Sequence, residues 1–469
     1  MFFRQRFIPG LAIYSYLIAD ERSKEAVVID VTRDVEEFAA MAKAEGLRIR
    51  HILETHVHAD FVSGSVELKS RLNGEPHIHC SGLGGAPWTP PYADHVVEDH
   101  DEIQIGSIRL RAIHTPGHTP EHLAWAVFDE SRSKDTPWLL LTGDFVFVGD
   151  VGRPDLLGEK EKATLAGQLY RSVTQVLPHY ADFTEVFPGH GAGSLCGKAI
   201  GSRASSTLGY ERRFNTSLAP ADHAAWVDRL LAGMPLAPPY FARMKQVNRS
   251  GPAIIGPELP GRTRLTAVQV HQQMCDPCVI LDVRSKEAFA ASHIAGSINI
   301  PGGPNLPTWA GWVLPYDRPL LLVADDPAVV DEAVRHLLRV GFDQVRGYLE
   351  GGMDAWQMHG YPIHTLRTLS VHDLAARIQS DNQRLQILDI RTDGEWSSGH
   401  IDGAIHIHGG LLQSRSVELE YDRPTLVVCG SGYRASIAAS FLQRQGFSDV
   451  ANVLGGMTAW KAADLPLSK

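Results

Sequence analysis

Apolar residues fall along this chain in short β-branched runs, separated by turns and by stretches with helical spacing. Leu11–Ala19 and Ala26–Val31 read as strands, Val35–Glu45 as a helix, and His51-Ile-Leu-Glu-Thr55 as the next strand. Met1–Gly10 reads as the start of the fold rather than a signal peptide. Pro9-Gly10 interrupts it, and the apolar stretch that follows ends at Asp20-Glu-Arg22 without a small-residue cleavage site. Further on, Val279-Ile-Leu-Asp282 and Leu320-Leu-Leu-Val323 read as buried strands, and Val329–Val340 as the amphipathic helix after the second. Such alternation predicts an α/β fold with mainly parallel sheets and ligands at the carboxyl ends of strands.

The second half repeats itself. Leu281-Asp-Val-Arg284 returns as Leu388-Asp-Ile-Arg391, His293-Ile-Ala-Gly296 as His400-Ile-Asp-Gly403, and Gly351-Gly-Met-Asp-Ala-Trp356 as Gly455-Gly-Met-Thr-Ala-Trp460. A period of about 105 residues is too long for a solenoid and marks a duplicated domain. Gly251-Pro252, Gly256-Pro257 and Pro260-Gly261 read as a linker. The expected domains are 1–260, 261–366 and 367–469, which suits a chain of 469 residues.

Composition narrows the function. The chain is 44% hydrophobic and 21% charged, hence globular, and its net charge of −10 argues against nucleic acid or an anionic membrane as partner. No apolar run reaches the ~18–20 residues of a membrane span. Five scattered cysteines form no disulfide framework and point to a reducing cytoplasm. The 22 histidines are more informative. His56-Val-His58-Ala-Asp60 follows a predicted strand, and so do Thr115-Pro-Gly-His118, Leu141-Thr-Gly-Asp144 and Phe187-Pro-Gly-His190. Four strand-end loops, each carrying His or Asp, predict a metal site.

This ordered set resembles the metallo-β-lactamase superfamily over residues 1 to about 250. The resemblance implies an αββα sandwich with metal at one edge. Many members hold two zinc ions, hydrolyse esters, thioesters or lactams, and read His-x-His-x-Asp-His. Here Phe61 takes the last place, which disfavours a dinuclear hydrolase such as glyoxalase II. The pattern is nearest to the persulfide dioxygenases, whose single Fe(II) sits on two His and one Asp. Carried over, the ligands are His56, His118 and Asp144, a facial triad with positions open to O₂ and sulfur. His58, Asp60 and His190 then orient ligands or bound water, with direct ligation in another metal state as the alternative. His114 and His122, beside His118, take structural or orienting roles. The stretch Gly152-Arg153-Pro-Asp155 places Arg153 near substrate, the alternative being a salt bridge to Asp155. In Gly209-Tyr-Glu-Arg-Arg213, Arg213 would hold an anionic thiol carrier. Cys196 lies in a Gly-rich loop near the metal edge and would relay or sense persulfide sulfur, unless it is simply a small buried apolar side chain.

In Val427-Val-Cys429-Gly430-Ser431-Gly432-Tyr433-Arg434 an apolar strand ends at a Cys, and a loop then opens a helix. Such a loop makes an anion nest whose field lowers the thiol pKa, so the thiolate is the nucleophile. This motif resembles rhodanese, over about 368–469, with Asp389-Ile-Arg391 and Gly455–Trp460 also matching. The resemblance implies a persulfide on Cys429, anion binding by Gly430, Ser431, Gly432 and Tyr433, and charge stabilisation by Arg434. Rhodanese-like phosphatases need a seven-residue loop; Cys429–Arg434 has six, favouring sulfur transfer. Arg391 and Asp389 brace the fold. In the middle copy Ala324 replaces the Cys, followed by Asp325 and Asp326, so that copy is expected to be inactive. Cys275-Asp-Pro-Cys278, a lone Cys-x-x-Cys, reads as a turn.

The expected function is oxidation of a low-molecular-weight thiol persulfide (glutathione, coenzyme A or similar) by O₂ at mononuclear Fe(II), giving sulfite. Rhodanese transfer through Cys429 would form or consume thiosulfate. Two alternatives are a zinc-dependent glutathione thioester hydrolase with a sulfurtransferase module, and a sulfur-sensing adaptor. A homo-oligomer is left open.

Overall fold

The alternating apolar runs of the first half close two facing six-stranded sheets. The computed structural model describes every residue except 220, 221, 275, 276, 382 and 383. The first sheet takes β1 (Phe2–Ile8), β2 (Ile13–Ala19), β3 (Glu25–Ile29), β4 (Arg48–Leu53), β5 (His77–Ser81) and β6 (His95–Val97), in that order. β1 to β3 pair antiparallel and β3 to β6 parallel. The second sheet runs from β7 (Glu102–Ile105) through β8 (Ile108–His114), β9 (Leu123–Asp129), β10 (Leu139–Gly143) and β11 (Glu185–Pro188) to β12 (Ser206–Thr207).

Period-two burial sorts the side chains into layers. Tyr16, Ile18, Val27, Ile29 and Leu53 of the first sheet meet Leu110, Leu123, Trp125, Val127 and Leu141 of the second. The opposite face of the first sheet, with Val28, Ile52 and Ile78, is covered by the helices Glu36–Ala44 and Ser65–Arg71 through Phe38 and Leu68. Beyond the second sheet, Val186 packs with Ala166, Leu169 and Trp226 of two further helices. The result is an αββα sandwich. One expected strand begins late: β2 starts at Ile13 rather than Leu11, because Ala12 turns into the left-handed region at φ +54° after Gly10.

The second half holds two five-stranded sheets of identical order. One is β13 (Arg264–Leu265), β17 (Val345–Leu349), β16 (Leu320–Val323), β14 (Val279–Asp282), β15 (Ile298–Asn299). The other is β18 (Arg367–Leu369), β22 (Val450–Val453), β21 (Thr425–Val428), β19 (Gln386–Asp389), β20 (Ile405–His406). All the strand pairs in both are parallel. Compact unit 1 comprises 1–258 and 338–341, and unit 2 comprises 259–337 and 342–469. Cys275 lies outside the described residues; Cys278 is buried and its thiol donates to Gln273 O at 3.2 Å. Among the described residues no helix is long and apolar enough to cross a membrane.

Trp125 lies wholly buried between the two sheets of the sandwich. Trp125→Ala is expected to lower the stability of the first unit by about 3–5 kcal/mol, read as a shift of its urea transition to lower concentration.

Candidate functional site

β4, β8, β10 and β11 deliver their loops to one edge of the sandwich. At the end of β10 the backbone turns through Gly143 at φ +49°, where a Cβ would stand 2.7 Å from His122 Nε2. The next amide, Asp144 N, donates to that same Nε2 at 2.9 Å. His122 is thereby a backbone support, and the Asp144 carboxylate swings in beside His56 and His118.

His56 Nε2, His118 Nε2 and Asp144 Oδ2 are buried and have no hydrogen-bond partner. The His118 nitrogen lies 3.4 Å and the His56 nitrogen 4.0 Å from Asp144 Oδ2, and the three groups offer ligand atoms within 4.8 Å of one another. Their other atoms are committed. Thr55 Oγ1 spends its proton on Asp30 Oδ2 at 2.8 Å, so at 2.9 Å it accepts from His56 Nδ1. His118 Nδ1 donates to the Arg153 carbonyl at 2.9 Å. Both tautomers therefore leave a lone pair on Nε2. Burial and the neighbouring histidines hold His56 well below its ordinary pKa, and burial lowers His118 as well. Burial works against charge on Asp144, but His190 and His118 keep its carboxyl far below the usual range. Two neutral imidazoles and a carboxylate, all converging, fit a divalent transition metal.

His190 bridges Asp144 Oδ1 at 2.7 Å and Asp60 Oδ2 at 2.8 Å. Burial opposes its protonation, yet the two carboxylates prevail and raise it to about 10. As an imidazolium it occupies Oδ1 of Asp144 and leaves Oδ2 facing the histidines. His58 turns the other way, with Nε2 at 3.1 Å from Asp30 Oδ1 and 3.2 Å from Glu54 Oε2. Its ring packs 4.3 Å from that of the fully buried Phe61.

For two residues the structure shows the plainer alternative. Arg153 makes the salt bridge to Asp155: it is buried, grips Asp155 through Nε and Nη2 at 2.7 and 2.8 Å, and donates to Leu195 O and Pro235 O. Its guanidinium ties loops together while its carbonyl orients His118. Cys196 does lie at the site, its ligand atom within 4.8 Å of those of Asp60 and His190, but burial and the Asp60 and Asp144 carboxylates raise its thiol well above the ordinary value. Arg213 is exposed on the Leu208–Phe214 helix, 5.7 Å over the Phe214 ring. His114 sits at the end of β8, with Nε2 2.9 Å from Pro120 O.

Some site residues carry no motif. Asp30, at φ +52°, turns its carboxylate onto Thr55 and His58. Glu121 is wholly buried beside Val57 N, and burial pushes it up to about 7. An acid inside Thr119-Pro-Glu121-His122 was the available signal.

In the last sheet β21 ends one residue before Cys429, which is fully buried. Gly432 N donates to its Sγ at 3.1 Å, with Gly432 left-handed at φ +93°. Gly430 and Ser431 form the turn between them. Gly456 packs so closely that a Cβ would collide with the Cys429 carbonyl. Arg434 is paired rather than open, donating to Glu395 at 2.7 and 2.6 Å. Glu395 also closes a capping box with Thr392. Burial raises its pKa, but Arg434 and Thr392 outweigh that and hold it near 2. Arg391 braces this region, holding both Asp389 oxygens at 2.9 Å and donating to Glu395 O and Gly399 O at 2.9 Å. The Tyr433 hydroxyl donates to Pro301 O of the other copy at 3.3 Å. There Ala324 occupies the place of Cys429, and Asp326 caps the following helix through Ala328 N.

The profile of the metallo-beta-lactamase superfamily matches residues 8–232, and that of the rhodanese-like domain matches 266–359 and 370–463. Over 188 residues the chain is 34% identical to mitochondrial persulfide dioxygenase ETHE1 of Bos taurus, covering 40% of this chain and 67% of that one. It is 32% identical over 199 residues to a probable metallo-hydrolase of Burkholderia pseudomallei, covering 36% and 66% respectively. A crystal structure of a metallo-beta-lactamase from Staphylococcus aureus is 36% identical, with a TM-score of 0.65, covering 74% of this chain and 98% of that one. The chain therefore belongs to the metallo-β-lactamase superfamily, with two rhodanese-like domains following its metallo-β-lactamase domain.

Proposed function

We propose that this chain oxidises a low-molecular-weight thiol persulfide, RSSH + O₂ + H₂O giving RSH and sulfurous acid, at one Fe(II) held by His56, His118 and Asp144. The observation that carries this reading is the convergence of three buried, unpartnered ligand atoms, in a chain similar to a named persulfide dioxygenase. Bound Fe(II) supplies redox activity and coordination positions for O₂ and a sulfur donor. Thr55 and the Arg153 carbonyl fix the two imidazole tautomers. His190 balances the charge of Asp144 and Asp60 and stiffens both. Phe61 closes the space beside His58 with an apolar wall, where a dinuclear centre needs another donor. Arg213, exposed beside Phe214, is the proposed contact for an anionic carrier such as glutathione or coenzyme A.

Cys429 is the proposed sulfur carrier. Its thiolate attacks the outer sulfur of thiosulfate, the S–S bond breaks, and sulfite leaves while Cys429 keeps the persulfide. In reverse, sulfite from the iron site takes that sulfur and leaves as thiosulfate. The Gly432 N–H stabilises negative charge on Sγ. Arg434, steadied by Glu395, lies beside the loop as its cation. Fusing the two activities raises the local concentration of their shared product.

Oxygen-electrode turnover with glutathione persulfide, on protein loaded with iron anaerobically, should show one O₂ consumed per sulfite formed. Bound zinc with thioester hydrolysis and no O₂ uptake would overturn the proposal. Asp144→Ala should lose both iron and O₂ uptake. His190→Ala should keep the ligands but cost about 10–100-fold in metal affinity or turnover. Cys429→Ser should abolish sulfur transfer from thiosulfate while O₂ uptake stays at the wild-type rate.

A further inference from the structure

Four histidines that no motif connects meet on the first sheet. β4, β5 and β6 run parallel, with His51 in register with His77 and His79 in register with His95. Register partners on parallel strands project to one face, and residues two apart share it. All four imidazoles therefore stand on one face of three neighbouring strands. Ring centroids are 5.0 Å apart for His51 and His79, 4.8 Å for His79 and His95, and 5.0 Å for His77 and His95. His79 is 7% exposed, His51 is half-buried, and His77 and His95 are exposed, so the patch has a buried floor and a solvent-facing rim.

We propose that His51, His77, His79 and His95 form a second cation site, for a borderline divalent transition ion such as Cu²⁺, Ni²⁺ or Zn²⁺. It shares no residue with the group of His56, His118 and Asp144. His51 Nδ1 and His79 Nε2 face each other at 3.0 Å. Two imidazole nitrogens each about 2.0–2.1 Å from one ion stand about 3 Å apart when they are adjacent ligands. The floor pair thus already stands at ligand spacing as a hydrogen-bonded pair, and binding requires floor and rim rings alike to turn about χ1 and χ2 until their lone pairs meet. Binding moves the proton between the facing nitrogens to the outer nitrogen of the ring that carried it, so that each neutral imidazole turns a lone pair to the ion and holds one outer N–H; no proton is released and no electron is transferred.

The surroundings favour nitrogen donors only. Asp94 is held by Lys69 at 2.5 and 2.7 Å and by the Ile78 amide, and Glu25 faces Arg50 at 3.7 Å. An all-imidazole set suits Cu²⁺, Ni²⁺ and Zn²⁺ rather than the oxygen-seeking Mg²⁺ or Ca²⁺. Burial and the neighbouring histidines lower His51 to about 4 and His79 to about 3, so at neutral pH a metal meets no imidazolium on the floor.

Full-length protein is dialysed against Zn²⁺ alone and its metal content measured by mass spectrometry. His77→Ala/His95→Ala should hold one equivalent fewer than wild type, with an unchanged melting temperature because both side chains lie at the surface. That loss should add to the loss caused by Asp144→Ala, which empties only the other site. Untagged wild type should bind a Ni²⁺ resin, and His77→Gln/His95→Gln should pass through it. Equal zinc content in wild type and the double variant, or equal retention on the resin, would overturn the proposal, whatever the outcome for O₂ uptake.

Discussion

Two imidazole nitrogens and a carboxylate oxygen, buried and aimed at one another with no proton between them, set the terms for the first unit. Each unsatisfied buried polar atom costs about 1–3 kcal/mol, so such a trio persists only if the surrounding structure holds it. That holding is distributed. Asp30 grips Thr55, which fixes His56; the Arg153 carbonyl fixes His118; His190 takes one oxygen of Asp144. The sandwich serves this geometry by bringing four strand ends to one edge, and Gly143 provides the sharp turn that carries Asp144 into it.

The second unit solves a related problem by relay. Asp389 holds Arg391, Arg391 holds the backbone of Glu395, and the Glu395 carboxylate holds Arg434 beside the Cys429 loop. A charged residue at the start of a helix is otherwise free to swing. Here the capping box with Thr392 stiffens Glu395 before it meets the guanidinium. The helix Tyr433–Arg444 is also gripped by the neighbouring copy, since Asn299 Oδ1 accepts from Ser436 Oγ at 2.8 Å and the Asn299 backbone N–H donates to Ser440 Oγ at 3.0 Å.

Much of this was legible in the residues. Glycine-containing turns after apolar runs marked the strand ends, and the spacing of His56, His118, Asp144 and His190 matched a known family order. The repeat exposed the duplication, and the missing thiol at Ala324 separated the two copies. What stayed hidden depended on partners distant in sequence. Arg153 reads like a substrate contact until Leu195 and Pro235 are seen to take its donors. His58, two residues from His56 in a ligand-like motif, turns instead toward Asp30 and Glu54. His51, His77, His79 and His95 look scattered, and only the parallel register joins them.

The contact at Asn299 bears on how freely the two copies can drift apart. With Ala324 in place of a thiol, the loop of the first copy carries no nucleophile; Asp326 caps the following helix and Asp325 lies 3.9 Å from Arg284. The edge strand of that copy is held to its twin. Asn299 and the Pro301 carbonyl meet side chains of the helix that starts at the Cys429 loop of the other copy. The surface that the first copy lends to its twin constrains it unevenly, and substitutions should be tolerated freely at the Ala324 loop and sparingly at the edge strand.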